Sequence, residues 1–282
     1  MRRIGSILLF LLCLALCACR GSSLQDPSVL QVTFLDVGQG DCTLLRTTDG
    51  DILVDCGPEA SQESLCRELK NLGVKRLALL ILTHPDEDHI GGADAILDAF
   101  PTDLVYVNGT ESNNESAIRL WDSLRTHKVK TEVVRAGNWI SVGDVLLTFL
   151  YPFEDSEVTD GNESSLVFRV QFGETAMLMM GDAEQETETA LLDRYVSAHL
   201  AADVLHVGHH GANTSSTEDF LRAVSPSVAV ISCGAGNRYG HPDGRTLARL
   251  SETGAEIVRT DLSGSITLIS DGKTVQMQSQ TH

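Results

Sequence analysis

Hydrophobic positions along this chain keep two periods, and the switches between them mark out the elements. Near 29–36, 42–47 and 51–54, apolar and polar residues alternate between Gly- and Asp-containing turns, the period of a half-buried strand. A helical period takes over near 61–72. The aliphatic run Leu77–Leu82, bounded by polar and Gly/Pro signals, then reads as a buried strand. Further strands are expected near 104–107, 131–135, 145–150, 165–172 and 175–180, and helices near 91–100, 115–127, 183–198 and 217–224. The pattern closes with strands near 203–207 and 228–232, a helix near 244–253, and strands near 256–259, 265–269 and 274–278. Two β-rich halves, each with helices, predict two sheets packed face to face and covered by helices outside. No repeat, low-complexity tract or linker divides the region, so one α/β domain over 28–282 is the expected unit.

The first residues follow a different pattern. Arg2 and Arg3 precede an apolar stretch from Ile7 to Leu16, as in an export signal. The stretch ends in Leu16-Cys17-Ala18-Cys19, which resembles a bacterial lipobox. This predicts a signal peptide over 1–18, lipidation of Cys19 and a tether over 19–27. The expected location is therefore extracytoplasmic, anchored to the cell membrane by lipid alone. An uncleaved anchor is the alternative, but the stretch is short against the ~20 residues a spanning helix needs.

Charge narrows the partners. The chain carries 21 basic and 39 acidic residues, and losing Arg2 and Arg3 with the signal takes the formal charge from −18 to −20. Such a surface opposes indiscriminate binding of polyanions, though bound divalent metals can invert the field locally. No protein partner can be inferred. Of seven cysteines, Cys42, Cys56, Cys66 and Cys233 lie beyond the lipobox with no CxxC spacing, which argues against a cysteine zinc site and for buried small hydrophobes.

Chemistry concentrates at strand ends. T-H-P-D-E-D-H-I-G-G, residues 83–92, sets two histidines and three acids in six positions directly after the strand 77–82. Imidazole and carboxylate this close suit Zn²⁺, Mn²⁺ or Fe. Gly181-Asp182 ends the strand 175–180, where Asp182 suits a metal-bridging carboxylate or, equally, a turn capping the next helix. V-G-H-H-G-A-N-T-S-S, residues 207–216, offers His209 and His210, which in an extended chain point in different directions, one to the site and one in support. C-G-A-G-N-R-Y-G-H-P-D, residues 233–243, offers His241 as ligand or acid/base group. Asn213, Ser215, Arg238 and Tyr239 are candidate substrate contacts, Arg238 and Tyr239 for an anionic oxygen.

Together these runs resemble the metallo-β-lactamase-fold hydrolases, and most of all the extracellular hydrolase domain of ComEC-type DNA-uptake proteins. The segments carrying the likeness are F-L-D-V-G-Q-G-D (34–41), L-V-D-C-G (53–57), T-H-P-D-E-D-H-I-G-G (83–92), N-E-S-S-L-V (162–167), G-D-A (181–183), V-G-H-H-G (207–211) and N-R-Y-G-H-P (237–242). The resemblance implies a four-layer αβ/βα sandwich, two mixed β-sheets flanked by helices, with a site at one edge holding two divalent ions, Zn or Mn. It implies His84 and Asp86 for one ion, Asp88 and His89 for the other, Asp182 bridging, and His241 as terminal ligand. Asp86 stands where many relatives carry histidine, and the first position's third histidine is missing near Asn162–Ser164. Asp88 would also orient the attacking water, and His209, His210 or His241 would protonate the leaving group. The membrane channel accompanying this domain in competence proteins has no counterpart here, which puts DNA uptake in doubt as a role. The expected activity is phosphodiester hydrolysis with DNA as the suggested substrate. Alternatives are hydrolysis of an envelope phosphoester of choline or teichoic-acid type, and a non-catalytic metal-binding surface lipoprotein.

Overall fold

The structure is a computed structural model describing residues 29–156 and 161–278. The expected signal peptide 1–18, Cys19 and the tether 19–27 lie outside the described residues. Strands β1 (Leu30–Phe34), β2 (Thr43–Arg46), β3 (Asp51–Val54), β4 (Leu77–Leu82), β5 (Leu104–Val107) and β6 (Lys130–Val133) belong to a first sheet. Strands β7 (Trp139–Val142), β8 (Val145–Tyr151), β9 (Val167–Phe172), β10 (Thr175–Met179), β11 (Val204–His206), β12 (Val228–Ile231) and β13 (Glu256–Arg259) form the second. The chain then returns to the first sheet, where β14 (Ile266–Ser270) pairs antiparallel with β1 and β15 (Val275–Met277) with β14.

Each half repeats one plan. Antiparallel neighbours come first, β1 to β3 and β7 to β10, followed by parallel crossovers through β6 and β13. Parallel pairing needs a long return, and helices Gln62–Asn71, Glu115–His127, Gln185–Arg194 and Glu218–Val224 supply it.

The two-residue period sets the layers. In the first sheet Val32, Phe34, Ile52, Val54, Leu79 and Ile81 face a core shared with Leu147, Phe149, Phe168, Val170, Met177 and Met179 of the second. Their neighbours Leu44, Leu53, Leu80 and Leu82 pack outward under Leu65, Leu69, Ile96 and Leu120 of the helices. Leu178, Leu205, Ala229 and Ile231 do the same on the far side, under Leu191, Phe220, Leu221 and Leu250. Strands buried on both faces explain the unbroken apolar runs. The chain therefore has the expected four-layer architecture of two mixed sheets between helices.

Most element boundaries fall within two residues of expectation, and three features differ. The expected helix over 183–198 is two, Gln185–Arg194 and Ser197–Leu200, because Tyr195 and Val196 are extended. Strand β7 was not expected, its four residues being an edge with Trp139 67% exposed. One-turn helices at Glu87–Ile90 and Thr260–Ser263 are also additions. Cys42, Cys56, Cys66 and Cys233 are free, and all but Cys66 are buried. Among the described residues no helix is long and apolar enough to cross a membrane.

Candidate metal centre

Strands β4, β10 and β11 end at one edge of the paired sheets, and each releases a loop into it. The loop after β4 carries His84, Asp86, Asp88 and His89, with the turn Glu87–Ile90 folding Asp88 and His89 back onto the edge. Asp182 follows β10, and His209 and His210 follow β11. The C-terminal ends of strands are where open α/β sheets place their chemistry.

Four imidazoles face one carboxylate. Asp182 Oδ1 lies 3.1 Å from His89 Nε2 and 3.6 Å from His210 Nε2. Asp182 Oδ2 lies 3.8 Å from both His84 Nε2 and His209 Nε2. Asp88 Oδ2 is 3.3 Å from His210 Nε2, and Asp86 Oδ2 is 3.8 Å from His84 Nε2. Asp88, His89, Asp182 and His210 each offer a ligand atom within 4.8 Å of the others.

Their outer nitrogens are held from behind. His89 Nδ1 donates to Asp55 Oδ2 at 2.8 Å, and Asp55 also accepts from the amide and hydroxyl of Thr83, both at 2.8 Å. The Thr83 hydroxyl, its proton committed to Asp55, accepts from His84 Nδ1 at 3.2 Å. His210 Nδ1 donates to the Ser232 carbonyl at 3.0 Å, with Asp41 Oδ1 3.4 Å away. His209 Nδ1 donates to Glu184 Oε1. Such support orients imidazoles toward a metal. On the inner side, the Nε2 atoms of His84, His89 and His210 and Oδ1 of Asp182 are buried without a hydrogen-bond partner. Buried polar atoms are normally paired, so this set of N and O donors fits a divalent cation.

Charge is arranged to match. Burial, reinforced by His89, holds His84 down to about 3, leaving it neutral. Burial pushes His89 down too, but Asp182 and Asp55 outweigh it and raise it well above its ordinary value. Asp182 and Asp41 do the same for His210. Burial alone would raise Asp41, yet His206 and His210 bring it down to about 2. The carboxylates thus favour the protonated form of His89 and His210.

Backbone geometry keeps the atoms in place. His209 and His210 both occupy the left-handed region, at φ 49° and 53°, inside the turn Gly208–Gly211. This corrects the expectation of an extended chain: side chains are divided by a tight turn, and both histidines face Asp182. Asp55 is left-handed as well, at φ 58°. Non-glycine residues held there cost about 1–3 kcal/mol each and cluster at functional sites. Gly40 has φ 145°, and a Cβ on it would meet the Asp88 carbonyl at 2.4 Å.

The other sequence candidates fall around this cluster. His241 stands further out, its ring 5.3 Å from that of His209 and stacked on Tyr239 at 5.8 Å, and the four-residue group contains His210 in its stead. Arg238 lies over the exposed Tyr239 ring and donates to its hydroxyl at 2.8 Å, so both belong to the mouth. Asn213 is half-buried, its backbone carbonyl accepting from Arg249, and the buried Ser215 hydroxyl donates to the Gly208 carbonyl at 2.7 Å. Ser215 therefore braces the histidine turn and presents no group to the mouth. Asn162, beside the missing-histidine position, lies with its Nδ2 3.2 Å from His209 Nδ1. Sequence reasoning gave no role to Asp41, Asp55, Glu184 or His206. Asp41 and Asp55 lay inside quoted motifs, and their burial beside polar partners was the signal missed.

Fold and site together define a metal-dependent hydrolase of metallo-β-lactamase type. The chain belongs to the metallo-beta-lactamase superfamily, whose family signature matches residues 35–235. Within it the chain is a relative of the ComEC-type competence proteins. It is 33% identical over 257 residues to ComE operon protein 3 of Bacillus subtilis (strain 168), covering 84% of this chain and 32% of that protein. It is 36% identical over 239 residues to Competence protein ComA of Neisseria gonorrhoeae, covering 83% and 31%. The chain thus spans about a third of the length of these relatives. Among solved structures, the metallo-beta-lactamase fold protein YhfI from Bacillus subtilis shares the fold at a TM-score of 0.58 and 15% identity, over 86% of this chain and 100% of that one.

Proposed function

We propose that the protein is a metal-dependent phosphodiesterase, held outside the cell membrane by lipid on Cys19, with DNA among its substrates. The observation that carries the catalytic part is the set of partnerless buried donors turned toward Asp182. The competence relatives support nucleic acid as the substrate class.

His84, Asp86 and Asp182 would hold one divalent ion, and Asp88, His89, His210 and Asp182 another; the oxygen-rich first set suits Mn²⁺ as well as Zn²⁺. Bound ions would acidify a water to a nucleophile and supply positive charge for the developing oxyanion. Asp88, the more open member of the four-residue group, would orient an attacking water toward the substrate. Arg238, exposed at the mouth, meets a phosphate oxygen. Burial and His209 lower the pKa of His241, so it would accept a proton at the site, and solvent would protonate the leaving group.

A second substrate class has an observation in its favour. A cleft beside His209 is lined by Glu163, Glu184, Gln185, Glu186, Thr189 and Thr214, a wall that repels a polyanion and attracts a cationic substituent. A choline-type envelope phosphoester would carry its cation there. Incubating the purified chain and Mn²⁺ or Zn²⁺ with DNA, and separately with a phosphocholine diester, tests the two readings. Cleaved DNA supports the first. Intact DNA across metals and pH, with turnover of the zwitterionic diester, selects the second. Bound metal with no turnover of any ester removes both.

A further inference from the structure

The resemblance leaves the first metal position short of a histidine near Asn162–Ser164, and the structure brings another imidazole to that side. Asp182 divides its neighbours by oxygen. His89 and His210 lie against Oδ1, at 3.1 and 3.6 Å, while His84 and His209 lie against Oδ2, each at 3.8 Å. With bonds of about 2.1 Å, two ligands of a tetrahedral ion stand roughly 3.4 Å apart, so both pairs match a shared cation. His209 is also oriented as a ligand: Glu184 accepts from its Nδ1, and its Nε2 faces Asp182 with Asn162 Nδ2 3.4 Å away. Glu184 is itself held by the Thr214 hydroxyl at 2.7 Å and by Asn162 Nδ2 at 3.4 Å.

We infer that the adjacent histidines His209 and His210 bind different metal ions, His209 taking the missing ligand's place beside His84, Asp86 and Asp182. Each ion then has two histidines, one aspartate of its own and a share of Asp182. The pair of left-handed residues has a purpose on this assignment, because the turn directs two consecutive imidazoles to the two oxygens of one carboxylate. Glu184 is a positioning residue acting through His209. The inference rests on the metal-centre reading above but not on any substrate.

Metal content of the full chain, measured after dialysis against Mn²⁺ or Zn²⁺ without substrate, tests it. The unaltered protein is expected to retain about two ions per chain, and His209→Ala about one. Glu184→Gln keeps an acceptor but loses the charge, so one ion should bind roughly 10- to 100-fold more weakly while the other is unchanged. If His209→Ala fails to fold by thermal melting, Glu184→Gln decides. Two ions retained by His209→Ala, or unchanged affinities in Glu184→Gln, would overturn the assignment. A protein that cleaves no ester would leave the metal count, and so this result, intact.

Discussion

Nε2 of His89 and Oδ1 of Asp182 face each other across 3.1 Å, and neither has a hydrogen-bond partner. They meet as an ion pair without hydrogen-bond geometry, and a cation would take the proton's place between them. Asp182→Asn keeps the shape and removes the charge that four imidazoles share. Metal content is expected to fall below about one ion per chain, and turnover of any accepted ester more than about 100-fold. Atomic-emission analysis beside the assay checks this, and full occupancy in the variant would refute a central role for Asp182.

Asp55 acts one step back. Its left-handed backbone suits asparagine as well as aspartate, so Asp55→Asn isolates the carboxylate charge behind His89 Nδ1. Metal affinity should drop about 10- to 100-fold, read by competition with a chromophoric chelator.

Protons compete with the metal. His89 and His210 have pKa values raised by their carboxylates in the metal-free fold. Their stabilisation is complete below the unfolded value near 6.5 and is lost as pH rises through the raised folded values. Ligation needs neutral imidazole, so loading releases protons and tightens with pH. His84, already neutral above about 3, adds no such dependence. Thermal melts with and without Mn²⁺ or Zn²⁺ should show a larger metal-dependent gain at pH 8.5 than at pH 6; a gain that shrinks with pH would contradict this.

Arg249 clamps the histidine loop from outside. Its guanidinium donates to the carbonyls of Asn213, Ser215 and Ser216 at 3.0, 2.8 and 2.7 Å. Arg249→Ala should destabilise the metal-free chain by about 2–3 kcal/mol in urea titration. It should also weaken metal binding, because the same loop carries His209 and His210.

How much of this was legible without coordinates depends on sequence distance. Val32, Phe34, Leu79 and Ile81 declare their faces through local alternation, so layers and sheets could be read directly. His84 to His89 are contiguous and announce a site by themselves. Asp41, Asp55 and Glu184 look like ordinary turn acids, because what distinguishes them is contact with histidines 25 to 169 positions away along the chain. His209 and His210 were visible as a pair, but their left-handed turn was not, since neither is glycine or asparagine. His241 drew attention by its motif, whereas His210 holds the inner place by geometry.

The seam between the two halves also ties the site to the completeness of the fold. His84 and His89 come from the first sheet's loops, Asp182, His209 and His210 from the second's. A nascent chain that ends before residue 182 displays half a cluster and cannot close it. The group around Asp182 is therefore complete only where both sheets have docked, so its integrity reports on the meeting of the two halves.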